Sequence, residues 1–271
     1  MKDKVKDCMR PGVLTCRKET RIGQVAVLLD QHQVHSLMVT DRDGRIIGVI
    51  TDFDLLAGEW LSADPESLEV MRGLTAGDLM SSPVASIDAN ASVKEAAQRL
   101  IDENIRRLMV TEKGKPVGVI SVSDIVAKIG STERLERGKV GNVMSDAYLV
   151  CRDKTPIISA ARAMTSAGWR SVVVVNANGR PLGVVSGLDL LPACVDDGCE
   201  EMTVTEVMHK PLTISINATL QEAANVLIEH HYHRLIVIDP AEPHSMPLGV
   251  ISTFDIVAEM ARPDSVWQKD F

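Results

Sequence analysis

Hydrophobic and polar positions change period along the chain, and the changes predict elements. Between Pro83 and Ile129 the pattern is clearest. Val84 to Ile87 is a short apolar run after a proline and predicts a strand. Ser92 offers an N-cap, with Glu95 three residues later completing a capping box. Val93, Ala96, Ala97, Leu100 and Ile101 then follow at helical spacing. Arg107 to Thr111 is β-like, Lys113-Gly114 is a turn, and Pro116 to Ile120 is a second strand of the hairpin. Ser121 to Ile129 returns to helix. The unit is therefore β-α-β-β-α. One such unit cannot cover both faces of its sheet, whereas two can by packing sheet against sheet.

The same pattern occurs four times, opening near Met9, Met80, Met144 and Met208. Each copy closes on a related segment: Gly48-Val49-Ile50-Thr51-Asp52-Phe53-Asp54, Gly118-Val119-Ile120-Ser121-Val122-Ser123-Asp124, Gly183-Val184-Val185-Ser186-Gly187-Leu188-Asp189 and Gly249-Val250-Ile251-Ser252-Thr253-Phe254-Asp255. Repeat 3 follows repeat 1 at a constant offset of 135 from Met9/Met144 to Asp54/Asp189. Repeat 4 follows repeat 2 at offsets of 127 to 131, the late shift being an insertion from Pro240 to Met246. The repeats span residues 1–60, 72–130, 137–193 and 202–262, an α/β (α+β) organisation. Duplication of a pair groups them as 1–130 and 137–271, with a polar linker near Ser131 to Lys139.

Composition narrows the function classes. With 29 Lys+Arg against 37 Asp+Glu the net charge is −8, which counts against a nucleic-acid partner held through phosphates. Three Trp, two Tyr and three Phe leave few rings for base stacking. The charged start, Met1-Lys2-Asp3-Lys4-Val5-Lys6, is not a secretory signal, and no apolar stretch is long enough to span a membrane. Five Cys without paired close spacing predict reduced packing thiols and a cytoplasmic location. Cys194 and Cys199 could form a redox pair but read better as loop thiols. No nucleophile–base arrangement stands out, so no enzyme activity is expected. Glu229-His230-His231-Tyr232-His233 lacks a second ligand group at matching spacing, so no metal is expected either.

A closing Gly-apolar-apolar-Thr/Ser-x-x-Asp in a β-α-β-β-α unit resembles the CBS domain, and two in tandem resemble a Bateman module. Four-repeat chains of this kind are similar in architecture to the gamma subunit of AMP-activated protein kinase. The resemblance implies two Bateman modules that bind an adenosyl ligand in clefts between paired repeats. AMP, ADP or ATP would be a regulatory ligand, with S-adenosylmethionine as a further candidate and no obligatory cofactor. It also implies signalling by conformational change to an effector protein. Two arrangements follow from it: both modules joined within one molecule, or homodimerisation through the Bateman modules. The alternative is a scaffold with empty pockets.

Four pairs carry the ribose and phosphate expectation: Thr51/Asp54, Ser121/Asp124, Ser186/Asp189 and Ser252/Asp255. A carboxylate accepts hydrogen bonds and a ribose offers two neighbouring hydroxyl donors. The helix N-terminus and the hydroxyl suit a phosphate. The same Ser/Thr-x-x-Asp pattern is equally a helix cap, and both readings stand on the residues alone. Before the middle strand, His35, Arg106, Arg170 and His233 recur at one position; Arg107 and Arg234 follow in the even repeats, where Ser36 and Ser171 stand in the odd ones. Basic residues there suit a phosphate, and in gamma-subunit-like proteins that strand contacts ligand phosphates. The even-repeat arginines predict sites that accept more phosphate charge. An adenine would lie against the first strands, near Val13, Val84, Tyr148 and Leu212.

Overall fold

The computed structural model describes residues 3–59, 70, 73–130, 138–195, 202–242 and 245–265. Cys199 and residues 131–137 of the expected linker lie outside the described residues. A short strand β1 (Arg10–Pro11) comes first. Repeat 1 then forms β2 (Thr15–Arg17), α1 (Ile22–Gln31), β3 (Ser36–Thr40), β4 (Ile46–Thr51) and α2 (Asp52–Glu59). Repeat 2 is opened by α3 (Ala76–Leu79) and forms β5 (Ser86–Asp88), α4 (Val93–Asp102), β6 (Arg107–Glu112), β7 (Lys115–Ser121) and α5 (Val122–Gly130). Repeat 3 forms β8 (Val150–Arg152), α6 (Ile157–Ala167), β9 (Ser171–Val175), β10 (Pro181–Ser186) and α7 (Gly187–Val195). Repeat 4 is opened by α8 (Val204–Val207) and forms β11 (Thr213–Ser215), α9 (Leu220–Glu229), β12 (Arg234–Ile238), β13 (Gly249–Ser252) and α10 (Thr253–Ala261).

The β-α-β-β-α order holds in every repeat. The first two strands are parallel, so a crossover helix must join them. Cys16 pairs with Val39, Ile87 with Val110, Cys151 with Val174 and Ile214 with Val237. The hairpin that follows is antiparallel, with Leu37 opposite Ile50 and Leu108 opposite Ile120. Ser92 caps α4 as expected, its Oγ accepting from the Glu95 amide at 3.1 Å. The crossover helices of repeats 1, 2 and 4 give way to left-handed residues, Gln33, Asn104 and His231, and that of repeat 3 ends on Gly168 at φ 70°. Only glycine adopts that conformation without a Cβ penalty.

The chain divides into two compact units, and each holds two repeat bodies. One comprises Leu14–Val84 and Tyr148–Pro211, the bodies of repeats 1 and 3. There α1 and α2 pack on α7, and α2 also packs on α6. Ile22, Leu29, Leu37, Ile50 and Leu56 share a core with Ile157, Met164, Val174 and Leu190. The other unit comprises Met1–Val13, Ala85–Ala147 and Leu212–Phe271. There α5 packs on α9, and α10 on α4 and α5. Leu100, Leu108 and Ile125 share its core with Leu227, Leu235 and Ile256. Each fully buried Leu or Ile in these shared cores, from helix or strand, contributes about 1.5–3 kcal/mol.

The recurrent methionine explains the recurrent glycine. The residue after each methionine forms a backbone bridge to the valine after a glycine in a different repeat. Arg10 pairs with Val119, Ser81 with Val49, Ser145 with Val250 and His209 with Val184. A Cβ on Gly48 would lie 2.4 Å from Met80 Sδ, and one on Gly118 would lie 2.4 Å from the Arg10 carbonyl oxygen. The glycines therefore admit a neighbouring chain segment. The opening segments are exchanged within 1/2 and within 3/4, the same grouping that the duplication gives.

Candidate functional site

In all four Ser/Thr-x-x-Asp segments the Asp carboxylate accepts from the residue three before it, and in repeats 1, 2 and 4 the Asp amide donates back to that residue's hydroxyl at 3.3 Å. At α2 the Thr51 amide and hydroxyl donate to Asp54 Oδ2 at 2.8 and 2.7 Å. At α5 the corresponding bonds from Ser121 to Asp124 Oδ2 are 2.8 and 2.5 Å. Ser186 binds Asp189 Oδ2 at 2.7 Å through both groups, and Ser252 binds Asp255 Oδ2 at 2.7 and 2.6 Å. The capping reading thus accounts for one carboxylate oxygen in every repeat. Oδ1 is the oxygen left for other chemistry.

That second oxygen is used unequally. In repeat 2, Arg10 Nε donates to Asp124 Oδ1 at 2.9 Å. In repeat 3, His209 Nε2 pairs with Asp189 Oδ1. Both bases come from exchanged opening segments, immediately after Met9 and Met208. The equivalent residues opposite repeats 1 and 4 are Ser81 and Ser145. Among the described residues no ion pair reaches Asp54 or Asp255. Burial pushes the Asp54 carboxyl above the ordinary Asp range, against the pull of the Thr51 hydrogen bonds and the Arg170 charge.

Of the basic residues before the middle strands, Arg106, Arg170 and His233 act across repeats within a unit, and His35 meets a carboxylate of its own repeat. Arg170 of repeat 3 lies 4.9 Å from the ring centroid of Phe53 in repeat 1. Arg106 of repeat 2 lies 3.5 Å from that of Phe254 in repeat 4. His233 of repeat 4 shares a hydrogen bond with Ser123 of repeat 2 at 3.1 Å. His35 Nδ1 meets Asp52 Oδ2 at 3.0 Å, and Arg170 Nη1 stands 3.8 Å from Asp52 Oδ1. Asp52 is 6% exposed. It fills space that a side chain at residue 187 would need, because a Cβ on Gly187 would lie 2.9 Å from its Oδ2.

Arg107 and Arg234 behave differently. Each stands across the hairpin from the capping serine of its own repeat, Ser121 and Ser252. Their counterparts Ser36 and Ser171 stand opposite Thr51 and Ser186. Val13, Val84, Tyr148 and Leu212 are half-buried. They mark the points where the chain passes from one compact unit to the other. Burial raises the Tyr148 hydroxyl above its usual range.

Sequence reasoning missed Arg10, His209, Asp52, Phe53 and Phe254. A signal for the first two existed in the residue after each recurrent methionine, which is Arg10, Ser81, Ser145 and His209 in turn. The phenylalanines sit between the capping residue and the Asp only in repeats 1 and 4.

Residues 5–59, 76–131, 140–196 and 204–262 match the CBS domain. The chain belongs to the CBS domain family and carries four copies of the domain. An uncharacterized protein of Methanocaldococcus jannaschii is 23% identical over 279 residues, covering 96% of this chain and 62% of that relative. The chain therefore spans less than two thirds of that relative's length. A solved structure from the same organism, described as a proposed archaeal homologue of γ-AMPK, matches with a TM-score of 0.83 at 16% identity, over 96% of this chain and 100% of the other. A Pyrococcus horikoshii protein matches with a TM-score of 0.65 at 21% identity, over 94% and 99% of the two chains. At such identities the likeness is one of fold. Among the described residues, no helix is long and apolar enough to cross a membrane.

Proposed function

We propose that this chain is a regulatory ligand sensor that binds adenine nucleotides at the helix starts of its CBS domains. It would pass the signal to an effector protein in the cytoplasm. The observation that carries this reading is the group at α2 and α10. A carboxylate there has one oxygen held by its own cap, and an arginine of the companion repeat is stacked on the adjoining Phe53 or Phe254. Such a group offers an acceptor for ribose hydroxyls and a cation for phosphate beside a helix N-terminus.

Family membership supports an adenosyl ligand, and the pairs 1–130 and 137–271 are its expected working modules. Signalling requires the ligand to prefer one of two conformations, since equal affinity for both shifts nothing. Thermal unfolding of the full chain with AMP, ADP, ATP or S-adenosylmethionine tests the reading. A ligand at about 100 times its Kd adds about 2.7 kcal/mol of stability. A clear rise in Tm with at least one of the four is the expected result. No rise with any of them at millimolar concentration overturns the adenosyl reading and leaves the scaffold.

A further inference from the structure

We propose that the four CBS domains are two open ones and two closed by the chain itself, so that the protein takes two nucleotides rather than four. Repeats 1 and 4 are open; Arg10 closes repeat 2 and His209 closes repeat 3. This deepens the adenine-nucleotide reading and rests on it.

Oδ2 of all four carboxylates accepts the capping serine or threonine, so a ribose depends on Oδ1. Arg10 and His209 hold that oxygen in Asp124 and Asp189. The two bases are 71% and 57% exposed, whereas each carboxylate they meet is 8% exposed. They therefore cover the solvent side of a buried acceptor, where a ligand's hydroxyls would approach. Opposite Asp54 and Asp255 the same backbone position carries Ser81 and Ser145. A serine is uncharged and short, and the Ser145 hydroxyl donates to the Ala147 carbonyl at 2.7 Å.

A second, independent feature divides the repeats in the same way. The stacked Phe–Arg pairs occur at repeats 1 and 4, at Phe53/Arg170 and Phe254/Arg106. Ser123 and Leu188 take the phenylalanine position in repeats 2 and 3. The open carboxylate and the placed arginine thus coincide. This division differs from the ancestry of the repeats, which pairs 1 with 3 and 2 with 4.

Calorimetric titration of the full chain with AMP decides the matter, alongside the Arg10→Ala/His209→Ala double variant. Both replaced side chains are mostly exposed, and an unchanged Tm confirms that the variant folds. About two AMP per wild-type chain, rising to three or four in the variant, is expected. Three or four in the wild type overturns the inference while leaving the nucleotide reading intact. Two in both proteins overturns the closing role of Arg10 and His209. Absence of binding by all four adenosyl ligands overturns the parent reading instead.

Discussion

The helix starts of repeats 1 and 4 differ from those of repeats 2 and 3 although all four share one cap. The cap depends on local sequence, three residues apart, and duplication preserves it. What differs arrives from far away in the chain. Arg10 reaches Asp124 across 114 residues, and Arg106 reaches Phe254 from another repeat. The lesson is that the local motif makes the helix, while the imported side chains decide what its carboxylate can still do.

Transplanting the closure is the severest way to break this comparison. Ser81→Arg with Ser145→Arg places a base opposite Asp54 and Asp255, as Arg10 stands opposite Asp124. A charge-assisted hydrogen bond contributes about 1.5–3 kcal/mol, so AMP affinity should fall roughly 10- to 100-fold by titration. Unchanged affinity would show that a base at this position does not close a site.

The two open repeats can also be separated by charge. Repeat 1 carries the buried Asp52 beside Arg170, whereas repeat 4 has Thr253 at that position and Arg234 opposite Ser252. Repeat 4 should therefore favour the more highly phosphorylated nucleotide. Asp52→Thr copies the repeat 4 residue and removes the competing carboxylate. Competition titration should show the preference for ATP over AMP at repeat 1 rising by about three- to tenfold, well short of the unscreened Coulomb limit. No change would remove Asp52 from the account.

Smaller effects test the stacked arginines. Cation–π contacts contribute about 0.5–1 kcal/mol at exposed sites. Arg170→Ala should destabilise the fold more than Arg106→Ala although its ring contact is longer, 4.9 Å against 3.5 Å, because it also takes the cation away from the buried Asp52 carboxylate. Denaturant unfolding of both variants measures the order, and the reverse order would contradict it.

The mildest test is pH, read in Asp255→Asn so that repeat 1 alone remains open. Burial raises the Asp54 pKa, so the folded chain takes up this proton at a higher pH than the unfolded chain does. Ionised Asp54 therefore costs stability above its folded pKa, and that cost disappears as the pH falls through it. AMP affinity moves the opposite way, since protonation removes the acceptor for ribose. It should weaken on acidification before ordinary carboxylates titrate. A flat profile down to the ordinary Asp range would contradict the role of Asp54.

Much of this was legible in the sequence. The β-α-β-β-α order, the Ser92 cap and the four Ser/Thr-x-x-Asp caps follow from spacing within a dozen residues. The methionines were visible as the openings of the repeats; that each packs on a glycine of another repeat was not. The basic positions were visible as His35, Arg106, Arg170 and His233. The companion repeat that Arg106, Arg170 and His233 reach was not, because helix packing between repeats of a unit sets it. The split between even and odd repeats rested on Arg107 and Arg234. Those residues do stand opposite their own capping serines. The division between open and closed carboxylates depends instead on the residue after each methionine, a long-range contact that no local period encodes.

The most direct test compares two double variants by AMP titration, Asp54→Asn/Asp255→Asn and Asp124→Asn/Asp189→Asn. Asn keeps an acceptor for the cap while removing the charge, and Tm is followed in parallel. The account predicts that the first pair loses at least tenfold in affinity and the second changes it less than twofold. Equal losses in both pairs, or a loss only in the second, would contradict the assignment of ligand binding to repeats 1 and 4.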